Sequence, residues 1–218
     1  MFPQIKHCKI CFKEFEITDF CRLFDDNICI CPSCQKLLEP KFINFTINGY
    51  KALAFYEYSD FIKRQIYVYK GCFDYEMKDI FLNLFIKEIK MCYQGYKIIP
   101  APSYFNDDEI RGFNHVVEVF KQTGLEIYQI IEKTEHFKQA DKSAKERQMV
   151  SKYLRLTNNK NLKKQKVLIV DDIYTTGATM RSMIKLIENL NPKEIKILVL
   201  VKTKDIEDKK SNTKQSLH

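Results

Sequence analysis

Two adjacent carboxylates, Asp171 and Asp172, follow the apolar run Val167-Leu168-Ile169-Val170 without a gap and lead into Ile173-Tyr174-Thr175-Thr176-Gly177-Ala178-Thr179. The hydroxyls of Thr175, Thr176 and Thr179 are donors, and Gly177 allows a close backbone approach, so this turn suits a phosphate dianion. The carboxylates cannot favour phosphate directly. They can accept hydrogen bonds from sugar hydroxyls, directly or through Mg²⁺. Phosphate donors next to paired acids are the chemistry of a phosphorylated sugar site.

The elements that must position these groups are legible around them. The run ending at Val170 is short and rich in β-branched residues, which predicts a buried strand of a parallel sheet with the acids at its carboxyl end. A helix is expected from about Ala178, with Met180, Met183, Ile184, Ile187 and Leu190 on its apolar face. Its first N–H groups lack intrahelical acceptors and point at the turn, where an anion is favoured. A second strand, Ile195 to Val201, completes a strand–helix–strand unit with parallel strands. The plainer reading is a helix capped by Thr behind two solvated acids. Neither Gly-x-Gly-x-x-Gly after a strand nor Gly-x4-Gly-Lys-Ser/Thr occurs, which argues against dinucleotide and ATPase sites.

At the other end, Cys8-Lys9-Ile10-Cys11 and Cys31-Pro32-Ser33-Cys34 form two C-x2-C pairs whose spacing suits one tetrahedral Zn²⁺. A closed four-thiolate site has no open position for substrate, so it reads as structural, or as a docking surface. The alternative is a cluster of small buried hydrophobes without metal. Cys29 or Cys21 could replace one of the four, and Cys72 and Cys92 read as buried thiols. No N-terminal apolar stretch resembles a signal peptide, so a reducing cytoplasmic location is expected, where paired cysteines favour metal over disulfide.

The acid–Thr turn resembles the ribose-phosphate signature of type I phosphoribosyltransferases. Together with the N-terminal cysteines and Arg111-Gly112-Phe113-Asn114 in the middle, it resembles the ComF family over residues about 6 to 203. The resemblance implies an α/β fold of the type I phosphoribosyltransferase kind: a mainly parallel sheet carrying a small N-terminal zinc-binding module. It implies phosphoribosyl pyrophosphate with Mg²⁺ as ligand and a link to natural competence and DNA uptake. Asp171 and Asp172 would take the ribose hydroxyls, and Thr175, Thr176, Gly177, Ala178 and Thr179 the 5′-phosphate. Arg111 would face the pyrophosphate and Asn114 would fix its loop. Tyr69-Lys70-Gly71 resembles another family signature, with its acid shifted to Asp74, so Lys70 would reach phosphate. Two departures stand out. Asn106-Asp107-Asp108-Glu109 replaces the family's basic residues, which would weaken pyrophosphate binding, and His115 stands where Gln is common.

Lys97 to Ser103 predicts a short strand stopped by Pro100 and Pro102, then a loop and a helix from Phe113 to Gln122. Phe42 to Tyr58 predicts strands joining the cysteine module to the main domain. Between Lys133 and Lys166 eleven Lys and Arg face three acids, a net +8 that equals the formal charge of the whole chain. This window reads as a mobile basic flap over the site, with Gln139 and Arg147 matching the family, or as a solvated face. It would also attract polyanions such as single-stranded DNA.

With 218 residues the chain can build one α/β core and a small module, and no apolar run is long enough to cross a bilayer. The expected division is 1–42 cysteine module, 43–203 main domain and 204–218 disordered tail. Two functions are compatible with these features. One is Mg²⁺-dependent phosphoribosyl transfer, with Asp171, Asp172, Arg111 and Arg147 at the reacting groups. The other is a ribose-phosphate-sensing or DNA-binding accessory of the uptake machinery, beside a helicase-like partner. Nothing in the sequence identifies the acceptor or the oligomeric state.

Overall fold

The computed structural model describes residues 4–17, 28–133, 154–157 and 160–203. Its centre is a five-stranded sheet of order β3-β4-β9-β8-β5, formed by β3 (Ile43–Ile47), β4 (Tyr50–Glu57), β5 (Tyr96–Pro100), β8 (Lys166–Tyr174) and β9 (Glu194–Lys202). β3 and β4 pair antiparallel, and every other pairing in the sheet is parallel. The Phe42–Tyr58 segment therefore does more than join a module to a domain. β4 lies beside β9, from Ala52 opposite Ile197 to Glu57 opposite Lys202, and is part of the main sheet.

Two apolar layers cover the sheet, and side-chain alternation along β8 assigns its residues between them. Leu168 and Val170 pack with α2 (Asp60–Gly71) and α6 (His115–Lys121), whose Ile62, Ile66, Tyr69, Val116 and Phe120 are buried there. Val167 and Ile169 face the other way, against Met180, Met183, Ile184 and Ile187 of α7 (Ala178–Glu188). Cover on both faces is why Val167 to Val170 is an unbroken apolar run rather than an alternating one. A small antiparallel pair, β6 (Ile131–Lys133) with β7 (Leu154–Leu156), adds to the α7 layer.

The cysteine module is built from the hairpin of β1 (Gln4–His7) with β2 (Glu14–Ile17) and from α1 (Pro32–Leu38), whose first residue is a proline suited to a helix start. Its Cys8, Ile30, Cys34 and Leu38 join the same apolar cluster as Phe55 and Ile62 of the main sheet and α2. Lys9 reinforces the junction. Its Nζ lies 2.6 Å from Glu76 Oε2 and 2.5 Å from Asp79 Oδ2, in the short turn Tyr75–Lys78 and the α3 helix (Asp79–Leu82) after it. Burial alone would loosen the Lys9 proton, but the two carboxylates outweigh it and raise its pKa.

Three local expectations are corrected. β8 does not stop at Val170 but runs on through both acids to Tyr174, paired with β9 as far as Tyr174 opposite Lys202. The helix expected from Phe113 begins at His115, because the Asn114 side chain accepts the Val117 N–H and caps it; a separate helix, α5 (Phe105–Arg111), precedes it. Cys72 and Cys92 are exposed, since Cys72 caps the end of α2 and Cys92 closes α4 (Ile86–Cys92) on its outer side. Cys21, Gln139, Arg147, most of the basic window and the 204–218 tail lie outside the described residues.

Candidate functional site

The carboxyl end of β8 opens into a cleft of 720 Å³ that gathers segments far apart in sequence: Lys70 from α2, Ser103 after β5, Arg111 from α5, His115 from α6, and Asp171, Asp172, Thr175 and Thr179. Ligand crevices at the carboxyl ends of parallel strands are the rule in such sheets. Gly177 shapes the turn between Thr175 and Thr179. Its φ is +71°, and a Cβ there would come within 2.4 Å of Tyr174 Oη, so the turn into α7 needs glycine on both counts. Arg181 Nη2 donates to Thr176 O at 2.8 Å and holds the turn from behind, a role the sequence did not reveal.

Alternation separates the two acids. Asp172 belongs to the α2/α6 side, and its Oδ2 meets Lys70 Nζ at 2.5 Å and His115 Nε2 at 3.2 Å, while its Oδ1 accepts the Ile173 N–H at 2.7 Å. Asp171 sits beside Val199, on the α7 side, and spends one oxygen on the Asp172 N–H at 2.8 Å. The electrostatics diverge accordingly. Burial by itself would raise Asp172, yet the His115 hydrogen bond and the Lys70 ammonium hold it well below the usual carboxylate range. Asp171 is pushed up by burial and by the negative charge of Asp172.

Lys70 is thus brought to the acids rather than left at a solvated helix end. Arg111 is brought close too, but its side chain is only 8 % exposed and is engaged through Nε and Nη1. Its Nε donates to Lys70 O at 3.1 Å, and its Nη1 lies 2.9 Å from Asp108 Oδ1 and 3.2 Å from His115 Nδ1. Asp108 also accepts from Asn114 Nδ2 at 2.7 Å. Of the acids in the unexpected insertion, Asp108 is therefore neutralised internally, while Asp107 lines the cleft. His115 and Ser103 were not foreseen as site residues. The spacing of Asp108 to Arg111, three apart on one helix, was the sequence signal available for part of this network.

The cysteines Cys8, Cys11, Cys31 and Cys34 place their sulfurs within 4.8 Å of one another. Cys11 Sγ and Cys31 Sγ are 3.7 Å apart. A zinc–sulfur bond of about 2.3 Å implies a tetrahedral edge of about 3.8 Å, so the donor set fits the ion. Burial pushes the Cys8 thiol up, but hydrogen bonds from the backbone of Cys31, Cys11 and Ile10 outweigh it and bring it down to about 7. Cys34 is pushed up by burial and by its sulfur neighbours. Cys29 is buried nearby but stands outside the four, its carbonyl accepting the Lys9 N–H at 2.9 Å.

Residues 111–218 match the model of the phosphoribosyl transferase domain. Competence protein ComFC of Streptococcus pneumoniae (strain ATCC BAA-255 / R6) is 28 % identical over 201 residues, covering 89 % of this chain and 87 % of that protein. The chain thus carries a phosphoribosyl transferase domain and is similar to ComFC proteins over most of its length. ComFC of Bacillus subtilis (strain 168) matches at 26 % identity over 57 % of this chain and 52 % of its own length. A purine phosphoribosyltransferase structure from Pyrococcus horikoshii Ot3 aligns with this chain at 21 % identity, covering 59 % of it and 74 % of that chain, with a TM-score of 0.38. The fold is a type I phosphoribosyltransferase-like α/β sheet with an N-terminal cysteine module. Among the described residues no helix is long and apolar enough to cross a membrane.

Proposed function

We propose that this chain binds phosphoribosyl pyrophosphate with Mg²⁺ in the cleft and transfers the phosphoribosyl group to an acceptor, in the service of DNA uptake. The observation that carries this reading is the convergence, in one cleft, of the acid pair, the Thr175–Thr179 turn and an ammonium 2.5 Å from one acid. The 5′-phosphate would take the turn, the first amides of α7 and the hydroxyls of Thr175 and Thr179. Thr176, Gly177 and Ala178 shape that cradle. Ribose hydroxyls would donate to Asp171 and to Asp172, whose charge Lys70 and His115 hold in place.

Lys70 would exchange its carboxylate partner for the pyrophosphate, one anion for another, so little charge reorganisation is needed. Arg111 would hold the Lys70 segment from behind through the Lys70 carbonyl. Arg147, which lies outside the described residues, would add positive charge for the leaving group. Mg²⁺ suits the oxygen donors present: Asp171 and the pyrophosphate oxygens would hold it, and it would neutralise charge on the leaving group. The acceptor attacks C1 of the ribose, the bond from C1 to the pyrophosphate oxygen breaks, and the electron pair leaves with pyrophosphate while the acceptor gives up its proton. Zn²⁺ in the four-cysteine cluster would be structural.

Calorimetric titration with phosphoribosyl pyrophosphate and Mg²⁺, repeated on an Asp171→Asn, Asp172→Asn protein, tests the site. Binding that the double variant loses supports it, and pyrophosphate release with a panel of acceptors then supports turnover. No binding at millimolar ligand sinks the reading. A second reading, an accessory that contacts single-stranded DNA beside a helicase-like protein, is favoured by Lys160 Nζ standing 3.7 Å over the Tyr128 ring, a pairing of cation and aromatic found in strand-binding grooves. Affinity for an oligonucleotide that falls with salt and with Lys160→Gln would support it.

A further inference from the structure

We infer that His115 is a positioning residue, held in the tautomer that carries its proton on Nε2, and that it keeps Asp172 aligned when Lys70 turns to the ligand. The inference rests on the ligand reading above and deepens it. Arg111 Nη1 lies 3.2 Å from His115 Nδ1, and a guanidinium can only donate. Nδ1 must therefore accept, and Ser103 Oγ, 3.3 Å from the same nitrogen, can share its lone pair only by donating. The ring proton is left on Nε2, aimed at Asp172 Oδ2 3.2 Å away.

The ring is located from its own backbone as well as from its partners. Tyr69 Oη donates to His115 O at 2.8 Å, and Asn114 caps the helix that His115 begins. When an incoming pyrophosphate draws Lys70 off Asp172, the buried carboxylate loses its ammonium. His115 and the Ile173 amide remain as donors, one on each oxygen, so the carboxylate neither rotates nor stands unpaired. Through Nδ1 the same ring ties the Arg111 side of the cleft to the sugar side.

A glutamine amide also offers one acceptor and one donor, whereas phenylalanine fills the space and offers neither. Nitrogen NMR of histidine-labelled protein at pH 7.5, with His115 assigned by comparison with His115→Gln, should show a protonated Nε2 and a bare Nδ1. A proton on Nδ1, or on both nitrogens, overturns the inference. In calorimetry with phosphoribosyl pyrophosphate and Mg²⁺, His115→Gln should bind within about threefold of the parent and His115→Phe about tenfold or more weaker. His115→Phe binding like the parent, or His115→Gln failing as badly as His115→Phe, also overturns it. Should the parent itself not bind, the ligand reading fails, and the nitrogen shifts still decide the tautomer. If His115→Phe does not fold, the shifts and His115→Gln decide.

Discussion

In the four-cysteine cluster every candidate ligand comes from two short segments, the turn of the β1–β2 hairpin and the start of α1, each folded locally and each supplying two sulfurs. The cleft at the end of β8 is the opposite case. Its charges come from α2, α5, α6 and β8, and they meet only because the sheet and its layers are already formed. The cluster holds like groups that need a cation from outside, while the cleft holds unlike groups that satisfy one another until a ligand competes. A metal should therefore make the first region fold, and a ligand should merely rearrange the second.

The largest effect expected from this contrast is at the cluster. Chelation of zinc, or Cys31→Ser, should remove on the order of 5 kcal/mol of stability and abolish hydrogen-exchange protection over residues 4–17 and 28–38. Elemental analysis should find one zinc per chain in the parent. Retained protection without metal would erase the distinction between the regions. Lys70→Met comes next. It leaves Asp172 ionised with His115 and one amide, and since Lys70 is about a third exposed the loss should be about 2 kcal/mol in urea unfolding, below that of a fully buried pair.

A smaller effect of opposite sign should appear at the neighbouring acid. Asp171 has a raised pKa, so the folded state holds its proton as pH climbs past the unfolded value of about 3.9, and stability declines over that rise. Asp171→Asn should remove this decline and melt higher at pH 7, by about 2–4 °C for each kcal/mol gained. Asp172 behaves the other way: its pKa is depressed, so its stabilisation is complete above the unfolded value and is lost as pH falls through the folded one. Asp172→Asn should accordingly melt lower at pH 7. Two neighbours shifting the melt in the same direction would show that they share one environment, against the alternation of β8. Last, Asn114→Ala should lose about 1 kcal/mol through the lost α6 cap and free Asp108, while zinc content stays unchanged.

The cluster was legible almost in full because C-x2-C spacing is local and each pair reports on itself, and geometry then excluded Cys29. The acid–Thr turn, β8, α7 and β9 were legible for the same reason: an apolar run, two acids and a glycine follow in order. What the sequence could not display was partnership across the layers. His115 looked like a substitution in a helix start, yet it contacts a carboxylate 57 residues further along the chain. The 106–109 acids looked hostile to a phosphate, yet Asp108 is consumed by Arg111 and Asn114. The strand was read as ending where hydrophobicity ends, but backbone pairing with β9 continues under polar side chains. Hydrophobicity reports which residues are covered, and hydrogen-bond pairing obeys a separate constraint.

The strand order carries a consequence for biosynthesis. β9 lies between β4 and β8, so the central pairing joins residues near 52 to residues near 197. On the ribosome β4 and β8 both emerge before their common neighbour exists. Until residues 194–202 clear the exit tunnel, each presents an unpaired, apolar edge of the kind that captures other nascent chains. The interval before β9 pairs with both neighbours is when this chain most needs a chaperone.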